Sequence, residues 1–186
     1  MHREDSVQLF ETERLVARPL SLQDLPALTE ILSDPEVMKY SVRGVCDGEA
    51  TREFIDWCAE CYSSHGVGPW ALLEKASGDL IGFCGVGPEL VDDVEEINLG
   101  YRLARRFWNQ GFATEAVNGV MMYAFDQKHY ESVVVIIEPE HIASVRVAEK
   151  AGFGDYTVHE FHSRPVRLYR MICEDWVLHN KRLSGL

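Results

Sequence analysis

The stretch Trp108-Asn109-Gln110-Gly111-Phe112-Ala113-Thr114-Glu115-Ala116 has the residue types best suited to holding a ligand. Gly111 lets the backbone come close to a bound group. An apolar stripe follows, Ala113, Ala116, Val117, Val120, Met121 and Ala124, at helical spacing. A helix beginning here leaves its first N–H groups unpaired at the positive end of its dipole. Such donors bind pyrophosphate without a lysine. No Gly-Lys-Ser/Thr follows, so this is not a Walker loop, and no dinucleotide fingerprint of glycines is present. On spacing alone, a plain strand-to-helix loop with one glycine accounts for the stretch equally well.

Two other groups of residues invite chemistry. Glu96 and Asn98 alternate with their neighbours so as to share one strand face with Gly100 and Arg102. A carboxylate there could accept a proton, or simply be solvated. Cys58-Ala59-Glu60-Cys61 has the look of a metal or redox pair. No second pair lies at zinc-finger spacing, and both cysteines fall on a helical stripe with Phe54 and Trp57. Core packing is the expected role, and no metal is expected.

The elements that would position these residues alternate strand and helix. Strands are predicted at Arg14–Leu20, Trp70–Lys75, Leu80–Val86, Val94–Leu103, Ser132–Glu138, Phe153–Glu160 and Val166–Glu174. Ser21 reads as a helix cap with Asp24 three residues on, ahead of Leu25, Leu28, Ile31 and Leu32, and Asp34-Pro35 stops that helix. Further helices are predicted over Glu49–Ser64, Thr114–Gln127 and Ile142–Ala151, the last ending at Gly152. Residues 38–48 read as loop. The Val133–Ile137 run suits a strand buried on both faces, and the unit Val94–Glu138 should return as a parallel strand. The expected class is α/β (α+β): one domain over residues 8–178, with a mixed sheet of about seven strands and about four flanking helices.

Bulk properties narrow the function. The formal net charge is −12, which disfavours nucleic acid as a partner and favours a cationic amine in an acidic cleft. The opening residues, MHREDSVQLF, lack a secretory apolar segment, and no apolar run is long enough for a membrane helix. Five cysteines without a framework spacing point to reduced thiols and a cytoplasmic setting.

Taken together, the motifs resemble the GNAT acetyltransferases, and within them the RimJ/RimL-like branch. The match runs through Asn98-Leu99-Gly100-Tyr101, then Phe107 to Ala116, then Glu138-Pro139-Glu140-His141-Ile142-Ala143-Ser144 onward to Gly152-Phe153. Glu11-Thr12-Glu13-Arg14-Leu15 and Asp34-Pro35-Glu36-Val37-Met38 also look like that branch, so the likeness spans nearly the whole chain. It implies a sheet splayed between the fourth and fifth predicted strands, with acetyl-CoA entering the gap. Backbone groups of Tyr101, Arg102 and Leu103 would pair with pantetheine like an added strand. Gln110, Gly111, Phe112, Ala113 and Thr114 would hold the pyrophosphate, with Trp108 and Asn109 leading into them.

The chain departs from the family pattern at four places. Trp108 stands where the wider superfamily has Gln or Arg, and His141 where the branch usually has Asn. Ala148 stands where many members carry a tyrosine acid, and Asn98 where the branch often has Glu. With that tyrosine missing, the resemblance points to Ser144 as the group that assists thiolate departure and to Glu96 as a base acting through water. His141 could cap its helix, contact CoA or face solvent. Tyr40, Trp70 and Asn98 are the expected acceptor-binding residues. The implied reaction is direct acetyl transfer from acetyl-CoA to a primary amine, either a protein N-terminus or a small amine such as an aminoglycoside or amino acid. A non-catalytic acyl-CoA-binding or regulatory domain is the competing reading. No membrane partner is expected, and a homodimer is compatible with the sequence.

Overall fold

The computed structural model describes residues 8–185; residues 1–7, on which the reading of the N-terminus partly rests, lie outside the described residues. Eight strands form one mixed sheet in the order β1-β2-β3-β4-β5-β6-β8-β7. They are β1 (Phe10–Glu11), β2 (Leu15–Pro19), β3 (Pro69–Glu74), β4 (Leu80–Val91), β5 (Val94–Leu103), β6 (Ser132–Ile137), β7 (Tyr156–Phe161) and β8 (Arg164–Ile172). The α-helices are α1 (Leu25–Leu32), α2 (Pro35–Met38), α3 (Gly48–His65), α4 (Phe112–Met122), α5 (Ile142–Lys150) and α6 (Cys173–Leu183).

Several boundaries differ from the sequence expectation. β1 is an eighth strand, only two residues long, and its antiparallel pairing with β2 is set by contacts the local sequence does not announce. Pro35 does not merely stop a helix. It sits at the first position of α2, where a missing N–H costs nothing, and the Asp34 side chain accepts from Glu36 N–H at 3.0 Å. The last strand ends at Ile172, two residues before the predicted Glu174: from Cys173 the chain turns into α6, with Glu174 and Asp175 in its first turn and Lys181 and Arg182 in its last. Only Trp176 of α6 is buried, so its apolar periodicity is faint. Phe153 belongs to the turn after α5, its N–H bonded to Ala148 O, and β7 starts at Tyr156.

The sheet divides the core. On one face, α4 and α5 pack Val117, Val120, Val145 and Ala148 against Leu99, Leu103, Val133 and Val135. On the other, α1 and α3 pack Leu28, Ile31, Phe54, Ile55 and Cys58 against Ala71 and the ring of Phe83. The Cys58 thiol is fully buried there, and burial pushes its pKa up. No group of His, Cys, Asp and Glu able to hold a metal occurs among the described residues. No described helix is long and apolar enough to cross a membrane.

Candidate active site

β5 is the strand on which the site is built. It pairs with β4 along its whole length, Gly82↔Leu103 through Val91↔Val94. Its parallel pairing with β6 is a single bridge, Asn98↔Val134. Beyond Asn98 the two strands part, so the splay implied by the family resemblance is present, here between β5 and β6. A cavity of about 190 Å³ opens in it.

Register decides what faces this gap. Ala104 N–H donates to Ile81 O at 2.8 Å, continuing the β4–β5 ladder. In an antiparallel ladder, alternate residues turn their backbone groups to the partner. Arg102, Gly100 and Asn98 therefore bond toward β4, whereas Tyr101 and Leu103 turn theirs into the gap. This corrects the grouping of Arg102 with its neighbours as a backbone pantetheine contact. The Tyr101 carbonyl accepts from Arg102 Nη1 at 2.8 Å, and the Leu103 carbonyl from Trp108 Nε1 at 2.9 Å. Each carbonyl keeps a second lone pair for an incoming amide.

Side chains alternate across the same strand. Tyr101 shares the α5 face with Leu99 and Leu103, and its hydroxyl lies 3.0 Å from Ser144 Oγ. Ser144 Oγ lies 3.2 Å from His141 Nε2. Ser144 is 9% exposed. Burial raises the Tyr101 hydroxyl above its ordinary value, although the bond to Ser144 acts the other way. Burial, and then the Arg102 charge, push His141 down to about 4. His141 is therefore neutral through the physiological range. Its side chain makes no cap to α5; instead its ring stacks on Tyr40 at 4.2 Å between centroids. A tyrosine hydroxyl thus does reach the centre of the site, from the strand rather than from the helix position held by Ala148. The sequence reading used Tyr101 for its backbone alone. The alternation with Leu99 and Leu103 was the available signal that its side chain faces α5.

The other face of the gap carries Asn98, Gly100 and Arg102, with Tyr40, Glu138 and Arg164 also lining the cavity. The Asn98 Oδ1 atom is buried and has no hydrogen-bond partner among the described residues. Glu138 accepts from Arg164 at 2.7 Å. With two arginines and one carboxylate, this cleft is not the acidic funnel expected from the net charge.

Two predicted site residues lie elsewhere. Trp70 is 1% exposed and packs between Phe10 and Tyr123, with centroids at 6.2 and 5.0 Å. It belongs to the core and walls no acceptor site. Glu96 does not line the cavity; Arg170 clasps it through both nitrogens, one at 2.8 Å. The hydrogen bonds from Arg170 hold its carboxyl below the usual range. A carboxylate stabilised in its charged form is a poor base, so geometry and electrostatics both remove Glu96 from that role. Glu96→Gln should leave the pH–rate profile unshifted. It should lower thermal stability near neutrality, and the gap to wild type should close as pH falls through the carboxylate range, below about 4. Melting curves from pH 3 to 8 check this.

The loop before α4 is held from outside. Asn109 and Gly111 both have positive φ, 58° and 81°. Two left-handed residues turn this loop back on itself, and α4 starts at Phe112, two residues earlier than expected. Its cap, Gly111, has no side chain to satisfy the first N–H groups, so those of Phe112, Ala113 and Thr114 are left as donors. Arg14, immediately before β2, pins the turn: its Nε donates to Glu115 at 2.7 Å, its Nη1 to Gln110 O at 2.9 Å, and its guanidinium lies 4.0 Å above the Phe112 ring. Thr12 donates to the same Glu115. Arg14 and Glu115 are thus positioning residues that the sequence showed only as part of a motif. Gly111→Val should weaken acetyl-CoA binding about tenfold or more, because a β-branched residue at φ 81° must distort the cradle. Calorimetry reads this directly, and unchanged affinity would sink the loop's assignment to the pyrophosphate.

The likeness to known proteins agrees with this geometry. The family model described as acetyltransferase (GNAT) domain matches residues 14–154. The protein YkkB of Bacillus subtilis (strain 168) is 31% identical over 159 residues, covering 85% of this chain and 92% of its own. The uncharacterized N-acetyltransferase p20 of Bacillus licheniformis is 29% identical over 149 residues, covering 79% and 83%. Among solved structures, an acetyltransferase from Agrobacterium tumefaciens str. C58 superposes with a TM-score of 0.72 at 26% identity, over 87% of this chain and 92% of that one.

Proposed function

We propose that this chain, which belongs to the GNAT acetyltransferase family, moves an acetyl group from acetyl-CoA directly onto a primary amine, in the manner of the RimJ/RimL-like branch. The observation that carries the reading is the hydroxyl pair Tyr101–Ser144 set inside the gap where β5 leaves β6. Acetyl-CoA lies along the gap-facing backbone of β5, with its pyrophosphate at the N–H groups of residues 111–114. The neutral amine attacks the thioester carbon, the C–S bond breaks, and the proton surplus on nitrogen ends on the departing sulfur. Ser144 donates to the developing thiolate, and Tyr101 supports Ser144 as its hydrogen-bond partner. Asn98 Oδ1, otherwise unpartnered, accepts an N–H of the amine. It cannot take a proton itself, so the ammonium form of the amine loses its proton to solvent before the attack.

Thiol release from acetyl-CoA across a panel of primary amines, α-amines of peptides included, tests this reading. Turnover with no acetylated cysteine trapped by mass spectrometry is the expected result. Acetyl-CoA binding without thiol release for any amine would instead mark a non-catalytic binder.

A further inference from the structure

Arg102 is the cation this site does not account for. Its strand partner across β4 is Phe83, whose ring packs at 5.1 Å on Phe54 of α3. Directly opposed residues of paired strands share a face, so the Arg102 side chain lies on the α3 side of the sheet, away from α4, whose N-terminus cradles the pyrophosphate. It lines the cavity with Asn98, Tyr40 and Glu138. It is partly buried, and burial lowers its pKa. None of the ion pairs among the described residues involves it. Among the described residues, the one hydrogen bond of its side chain goes to the neutral carbonyl of Tyr101. Glu138, the carboxylate lining the same cavity, is already taken by Arg164.

A guanidinium presents five donors in a planar fork that matches a carboxylate. Leaving it without an anion in a partly desolvated cleft is costly unless a ligand brings one. The same face carries Asn98, which lines the cavity and whose buried Oδ1 has no partner among the described residues; a turn of that amide presents it as an acceptor to an amine N–H. One cavity wall therefore presents an acceptor for nitrogen and a cation for an anion.

We propose that the acceptor amine carries a carboxylate, which Arg102 binds while Asn98 holds the amine. This substrate class rests on the acetyl-transfer reading above. Asn98 and the Tyr101 carbonyl that anchors Arg102 are three residues apart on β5, about 10 Å along the strand. The favoured acceptors therefore place several bonds between amine and carboxylate, as in ω-amino acids or the side-chain amine of a basic amino acid. Free polyamines, all cation, are disfavoured.

The test pairs each amino acid with its amide, and each ω-amino acid with the alkylamine of equal length, using acetyl-CoA and the whole chain. Wild type should favour the carboxylate member in kcat/KM by about 10–100-fold, the worth of one charge-assisted hydrogen-bonded contact. Arg102→Gln should erase that preference, Arg102→Lys restore part of it, and Arg102→Glu reverse it. Acetyl-CoA affinity, measured separately by calorimetry, should stay within about twofold in all three. Equal rates for both members of every pair in wild type would overturn the proposal and leave acetyl transfer standing. So would an Arg102→Gln defect confined to acetyl-CoA affinity, which would assign the guanidinium to the cofactor. If no amine is turned over, calorimetric titration of the ω-amino acids into the CoA-loaded protein decides the matter. Binding lost in Arg102→Gln supports the site, and no binding to wild type overturns it. Failure to bind acetyl-CoA at all would remove the parent reading and this one with it.

Discussion

Ser144→Ala should lower kcat about a hundredfold, at the lower end of the 10²–10⁴ that positioned proton-transfer groups contribute, with acetyl-CoA affinity nearly unchanged. Ser144 is 9% exposed and its hydroxyl has two partners, Tyr101 at 3.0 Å and His141 at 3.2 Å, so it is aimed by its surroundings. A sulfur leaving as thiolate in that pocket needs a donor to stabilise its developing charge. Tyr101→Phe removes one of those two partners and should cost nearly as much. Groups that act as one unit lose activity non-additively, so the double variant should be little worse than the poorer single. His141, held down to about 4, keeps its neutral form from pH 5 upward. The kcat profile should therefore show no inflection near 6.5, the ordinary histidine value. Single-turnover rates, with melting curves as a check on folding, give the answer. Full kcat in Ser144→Ala where chemistry limits the rate would end the assignment, and additive losses would separate the two hydroxyls.

How far the sequence carried depended on how local each signal was. The strand ladder from Trp70 to Leu103, the helix of α3 and the buried β6 were legible because their periodicity runs over many residues. The splay was legible through the resemblance, and the loop at Gly111 through its own composition. What escaped was set by distant partners. β1 is two residues stitched onto β2, α6 buries little beyond Trp176, and Arg14 matters because it folds back over a loop almost a hundred residues away. The role of Glu96 escapes the sequence for the same reason: strand alternation gives its face, but nothing local announces Arg170 across the sheet. Trp70 illustrates the converse. An aromatic at a strand start can wall a pocket or fill a core, and only the rings of Phe10 and Tyr123 decide which.

Once Glu96 is excluded and Asn98 stands where a carboxylate could have been, the acceptor amine must arrive neutral. That makes the acceptor's own pKa govern the rate. For an alkylamine with a pKa near 10.4, kcat/KM should climb about tenfold per pH unit, or about 10³-fold between pH 6 and 9. For an α-amine of pKa about 7.7–8.0 the rise should level off near pH 8. Plotted for amines of graded basicity, the bend should move with the amine. Asn98→Glu places a carboxylate in the cavity beside the bound nitrogen, one that is ionised above about 4.3 when unperturbed and able to accept the proton. That variant should flatten the limb and exceed wild type at pH 6, although it forfeits the amide acceptor that holds the nitrogen. Asn98→Ala should lose rate at every pH without changing the slope, because it removes a hydrogen bond and adds no base. A wild-type bend fixed at one pH for every amine would show that a side chain does take the proton. Glu138, the remaining carboxylate among the described residues lining the cavity, would then be the group to replace.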